Sequence, residues 1–130
     1  MREILFRGKR LDNFEWIYGS LIEDKYIVGN VVDWNEDYFN TEYWWRVILE
    51  TVGQFTGLTD KNGKEIYEGD ILKFEAESPY PFLIMDNGVV KYEPCKFYLT
   101  DDINEIGIHV DNWYELEVIG NIHDNPELLK

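Results

Sequence analysis

The sequence predicts a small, mainly β protein with little helix, in which an N-terminal antiparallel β subdomain precedes a barrel or packed sheet. Three observations lead there. Aromatic residues make up 16% of the chain, with five Trp, nine Tyr and seven Phe, and such residues favour pleated surfaces over helical bundles. Turn signals built from Asn, Asp and Gly recur about every ten residues, the spacing of a barrel or sandwich. The segments between them are short and alternate apolar with polar residues.

The elements follow in order. EILF (3–6) is a candidate first strand, followed by RGKR and the Asp12-Asn13 turn signal. EWIYGSLI (15–22) and KYIVGNVV (25–32) flank the two-residue break Glu23-Asp24 and predict a hairpin, with Gly19 and Gly29 marking bulges or close backbone approach. DWNEDYFNTEYWW (33–45) differs in character. It holds four acidic residues, no basic one and six aromatics, and predicts a loop feeding a strand at about 43–50.

VGQFTGL (52–58) alternates as a strand. Asp60-Lys61-Asn62-Gly63 makes the next turn, Glu65-Ile66-Tyr67 returns, and Glu68-Gly69-Asp70 turns again into ILKFEA (71–76). Asn and Gly tolerate the positive φ that hairpin turns need. SPYPF (78–82) predicts an irregular connection, Asp86-Asn87-Gly88 a hairpin turn into VVKYE (89–93), and 101–106 a short helix or turn. YELEVIGNI (114–122), with Gly120 near its end, predicts the last long strand. Asn125-Pro126 then starts a final helical turn that docks Leu128 and Leu129, with Asn125 as N-cap.

Twelve basic residues against twenty-six acidic ones give a net charge of -14. That field repels nucleic acid and anionic membrane and favours a basic partner. No apolar leader or span of membrane length is present, so the expected location is the cytoplasm. The one cysteine, Cys95, permits no internal disulfide.

Chemistry finds little foothold. DKNGKE resembles part of a calcium loop, but an EF-hand register places Leu58 and Gly69, or Glu65, where oxygen ligands and the required glycine belong. Gly63-Lys64 is followed by Glu65 rather than Ser or Thr, so it is no phosphate loop. His109 and His123 lack partners at zinc spacing, and neither Ser20 nor Ser78 sits in a nucleophile elbow. Cys95 has no activating base near it in sequence. No catalytic residue, metal ligand or cofactor is therefore assigned. The one basic cluster, Arg2, Arg7, Lys9 and Arg10, is a weak case for nucleic-acid binding because the aromatics elsewhere are interleaved with acids.

Three strings carry a resemblance. MREILFRGKRLDNFEWIYGSLI, TVGQFTGLTDKNGKEIYEGDIL and EVIGNIHDNPELL resemble, in order and nearly from end to end, the YopX family of phage and prophage proteins. One departure is Phe14, where the family often has Gly after Asp-Asn. The resemblance implies a small, mostly β protein with no assigned activity and no defined catalytic residues. The pattern EGDILKF, NGVVKY, EVIGNI also looks like an SH3-like barrel, here over about 52–125, so the expected organisation is an N-terminal β subdomain at 1–50 and an SH3-like subdomain at 51–130.

The function expected from all this is a non-enzymatic interaction module, a phage accessory protein binding a host or phage protein. The candidate partner-binding residues are Trp34, Tyr38, Trp44 and Trp45, because aromatics dominate interface hot spots. The competing structural reading makes the same rings the cap of a small core. Two other functional readings are an acidic mimic that occupies a DNA- or RNA-binding protein and a small carboxylate-based enzyme. Exposed strand edges also allow self-association. Asn62, Gly63, Gly69, Asp70, Gly88 and Gly120 are read as turn-forming residues.

Overall fold

A computed structural model describes residues 5–74, 87–93, 96–100, 105–107 and 116–129. Of these, 61% lie in strands, and every registered strand pair is antiparallel. The expectations for Cys95, His109, Asp86 and the 78–82 connection fall outside the described residues, as does Arg2. The chain divides into two compact units, Met1–Phe55 and Thr56–Lys130. The division falls inside the strand expected at 52–58.

In the first unit, β1 (Phe6–Lys9) pairs with β2 (Trp16–Ile22), and β2 with β3 (Tyr26–Val28). β4 (Val31–Trp34) and β5 (Phe39–Thr41) form a separate two-stranded ribbon, and β6 (Trp44–Arg46) returns to β3. A short 3-10 turn, Leu49–Thr51, leads into β7 (Gly53–Thr59), whose first residues pair with β1. The β2–β3 hairpin turns on Glu23 and Asp24 with φ of 52° and 57°. Left-handed backbone at both central residues matches the right-handed twist of the flanking strands. Ile27 and Val47 are buried, and Gly8 of β1 lies so close to both that a Cβ there would stand 3.2 Å from each. The bridge Arg10↔Val47 ties the end of β1 to the residue after β6.

β1 therefore runs through the basic cluster instead of ending before it. Arg7 is buried, its guanidinium 4.7 Å from the Trp16 ring centroid. Hydropathy hid this strand because an arginine can bury its stem against an aromatic ring.

In the second unit, β7 continues to the turn at Asp60, and β8 (Glu65–Tyr67) follows. β9 (Asp70–Phe74), β10 (Asn87–Glu93), β11 (Lys96–Thr100) and β12 (Glu105–Gly107) form a meander, with β13 (Leu116–Asn121) on the other side of β9. Ile66, Leu72, Val90, Phe97, Leu99 and Leu116 form its core. This is the expected antiparallel β architecture, but among the described residues the sheet does not close into a barrel. Glu105–Gly107 is strand, paired with β11, where a helix or turn was expected over 101–106.

The turn residues separate into three groups. Asn62 and Gly63 (φ 83°) form the β7–β8 turn, and Gly69 (φ 91°) the β8–β9 turn. Asp70 opens β9, and its Oδ2 accepts a hydrogen bond from Tyr67 N at 2.7 Å. Gly88 is a correction: with Asn87 it opens β10 opposite Leu72 and Lys73. The Asn87 side chain is committed elsewhere, donating to Leu128 O at 2.9 Å. Gly120 lies within β13 at a register shift, where a Cβ would stand 2.6 Å from Asn125 Oδ1. Asn125 precedes the final 3-10 turn (Pro126–Leu129) in the N-cap position, as expected, and its main-chain O accepts from Leu128 N at 3.1 Å. Its Oδ1 accepts from Asn121 N, at 3.3 Å. Leu128 is half-buried, whereas Leu129 is exposed.

Candidate functional site

Residues 26–46 form one long bent hairpin. Its root is the β3–β6 ladder in the sheet, and its outer part is the β4–β5 ribbon. The bend is fixed on both strands. Glu42 N donates to Asn30 O at 2.8 Å, and Asn30 N donates back to Glu42 Oε1 at 3.1 Å. Gly29 N donates to Tyr43 O at 2.9 Å. Tyr43 is a clamp: its hydroxyl donates to Tyr18 O at 2.5 Å, and its ring covers Gly29. Burial, with the Glu42 carboxylate adding to it, raises the Tyr43 hydroxyl above its ordinary pKa, so it remains a donor.

The tip is equally determined. Asn35 N donates to Tyr38 O at 2.9 Å, and Asn35 Oδ1 accepts from Asp37 N at 2.7 Å and Tyr38 N at 3.1 Å. An Asn side chain that satisfies two amides replaces a Gly-based turn here.

Register decides what the ribbon presents. Trp34 lies opposite Phe39, Asp33 opposite Asn40, and Val31 opposite Thr41, with Val32 as the extra residue of a bulge. Cross-strand partners share a face, and alternate residues of β5 do too. Val31, Trp34, Phe39 and Thr41 therefore occupy one face, Asp33 and Asn40 the other. The apolar face is open: Val31 is 49%, Trp34 71% and Phe39 61% exposed.

Of the four partner-binding candidates, Trp34 and Tyr38 belong to this outer arm and Trp44 and Trp45 to its root. Trp34, Tyr38, Trp44 and Trp45 are all exposed, which counts against the reading that they cap a core. Trp44 meets Tyr26 edge-on at 5.8 Å. Trp45 is covered on one side by the Arg10 guanidinium, 3.3 Å from its ring centroid. Asp12 holds that guanidinium by two bonds, from Nε at 2.9 Å and Nη2 at 2.7 Å, and the Arg10 side-chain bond lowers the Asp12 pKa. An open groove of about 700 Å³ runs beside the root, lined in part by Leu11, Tyr43, Trp44 and Arg46.

Sequence reasoning counted Phe39 among the six rings of 33–45 without naming it a partner-binding candidate, and missed Val31, Leu11 and Arg10 as parts of this surface. The signal for Phe39 was present in the alternation of β5, whereas Val31 joins the face only through the bulge in β4. The basic cluster is dispersed: Arg7 is buried, Lys9 lies 5.4 Å from the Trp16 ring centroid, and Arg10 serves Trp45 and Asp12. Among the described residues no three of His, Cys, Asp and Glu gather as a metal site would require. No helix among them is long and apolar enough to cross a membrane.

The buried Asp60 serves architecture. Its Oδ1 accepts from Asn62 N at 2.8 Å and Lys64 N at 2.9 Å, and its Oδ2 from Val118 N at 2.9 Å. It thus closes one turn and ties it to β13.

Comparison with known proteins finds a family and a similar solved structure. The family model described as YopX protein matches residues 5–130. The crystal structure of protein EF1440 from Enterococcus faecalis superposes with a TM-score of 0.67 at 26% identity, covering 100% of each chain. No curated protein matches the sequence.

Proposed function

The chain belongs to the YopX protein family, and on that premise we propose that it is a non-enzymatic protein-interaction module. It acts as a phage or prophage accessory protein in the bacterial cytoplasm and engages a host or phage protein through the β4–β5 arm. The observation that carries this reading is the apolar face of Val31, Trp34 and Phe39, open to solvent on a hairpin fixed at both ends. A two-stranded ribbon with no packed face is marginal in water, and large exposed aromatic clusters mark interaction sites. Fixing the arm in advance lowers the entropic cost of docking.

The second unit is proposed to be SH3-like. The β9–β12 meander with β13 returned against β9 supports this, because that strand order leaves only the two outer strands to meet for closure.

The test is affinity capture from host extract at low and high salt, with the wild type and with Trp34→Ala. The module reading expects a partner retained at both salts and lost with Trp34→Ala. The net charge of -14 favours a second reading, mimicry of nucleic acid. In that case the captured protein binds nucleic acid, is lost at high salt and ignores Trp34.

A further inference from the structure

The ribbon's two faces and its charge narrow the partner's chemistry. Asp33, Glu36, Asp37 and Glu42 all belong to the arm or its root, residues 33–45 contain no basic residue, and no ion pair is recorded for any of the four among the described residues. A second copy docking arm to arm would gather eight uncompensated carboxylates, which like-charge repulsion opposes. A nucleic acid meets the same repulsion.

The edges matter as well. β4 and β5 pair only with each other among the described residues, so each has an open outer edge. The bulge at Val32 distorts the β4 edge, and bulges discourage further pairing. The regular edge is β5, Phe39–Thr41.

From these observations we infer that the arm recognises an extended segment of another protein in which apolar residues alternate with Lys or Arg, added as a third strand along β5. Its apolar side chains extend the Val31–Trp34–Phe39 face. Its cations lie on the face of Asp33, near the acidic tip. Strand addition gives affinity through the backbone, and alternate side chains give specificity. A third strand also supplies the support that a two-stranded ribbon lacks. This inference rests on the interaction-module reading and deepens it.

The test uses three capped octapeptides: alternating Lys and Val, alternating Glu and Val, and alternating Lys and Ser. Binding is followed by the NMR shift of the Trp34 indole N–H, assigned with Trp34→Phe. The Lys/Val peptide is expected to move that signal and to bind at least tenfold more tightly than the other two. Its affinity, measured for the variants by calorimetry, is expected to fall at least tenfold in Trp34→Ala, and likewise in the triple variant Asp33→Asn, Glu36→Gln, Asp37→Asn.

Equal binding of the Glu/Val peptide overturns the basic partner while leaving the arm as an interaction face. Equal binding of the Lys/Ser peptide reduces the effect to bare charge and overturns the apolar component. If no peptide moves the Trp34 signal, the inference fails, and Trp34-dependent capture from extract decides separately whether the module reading survives. Sedimentation showing a dimer that Trp34→Ala dissociates identifies a second copy as the occupant and also overturns the inference.

Discussion

Val31 and Trp34 stand on the same face of the β4–β5 ribbon although three positions separate them, because Val32 between them is a bulge. In a regular strand, residues at that spacing point to opposite faces. Because the bulge takes Val32 out of the ladder, both residues keep to the apolar face. Deleting Val32 leaves Val31 and Trp34 two positions apart, a spacing that shares a face in a regular strand, so the apolar face is predicted to survive while the β4 edge becomes regular. Thermal unfolding of the deletion variant should match the wild type within a few degrees, because Val31, Val32 and Trp34 are all exposed. Trp34-dependent capture should be retained, and its loss would mean that the bulge itself shapes the docking face.

Phe14 carries a backbone strain that its side chain does not offset. It has a φ of 62° and is exposed. Left-handed backbone costs an ordinary L-residue roughly 1–2 kcal/mol, and glycine escapes most of it. Phe14→Gly is therefore predicted to raise stability by about 1 kcal/mol in urea unfolding. A loss of stability would mean that the ring makes a contact worth more than the strain. The family resemblance marked this position, and the backbone supplies the physical reason for Gly there.

Asp60 sets a pH dependence. Burial raises its pKa, but hydrogen bonds from the Val118, Lys64 and Asn62 amides, with the Lys64 charge, outweigh burial and hold it below the ordinary carboxylate value. A folded-state pKa below the unfolded one stabilises the protein above the unfolded value of about 3.9. That contribution is lost as pH falls through the folded value. Asp60→Asn turns an amide N–H2 toward Val118 N–H or toward the turn amides, and should cost about 1–3 kcal/mol at pH 7. Urea unfolding from pH 7 down to pH 3 should show the two proteins converging in acid. A constant gap would assign the loss to packing instead.

Local chemistry made much of the fold legible. Glu23-Asp24 and Asp60–Gly63 read as turns because their residues tolerate or organise tight backbone, and both are turns here. What stayed hidden depends on distant partners. Asp60 reaches Val118 across 58 residues, and Arg7 reads as a surface cation until Trp16 lies beside it. The aromatic segment was ambiguous for the same reason. Six rings within 33–45 fit a core or a patch equally well, and only the bend at Asn30 and Glu42 carries the ribbon into solvent. The bulge escaped reading because it exists only relative to β5.

The most direct test of the central claim, that the arm is a docking surface and no part of the core, is the urea unfolding of the double variant Trp34→Ala, Phe39→Ala beside Ile27→Ala. Exposed positions away from special features change stability by about 0.5 kcal/mol or less each. Removing a fully buried isoleucine costs roughly 2–5 kcal/mol. The double variant is predicted to lose less than about 1 kcal/mol, and Ile27→Ala, whose side chain is 0% exposed, several times more. A loss in the double variant as large as that of Ile27→Ala would place the two rings in the core and contradict the account.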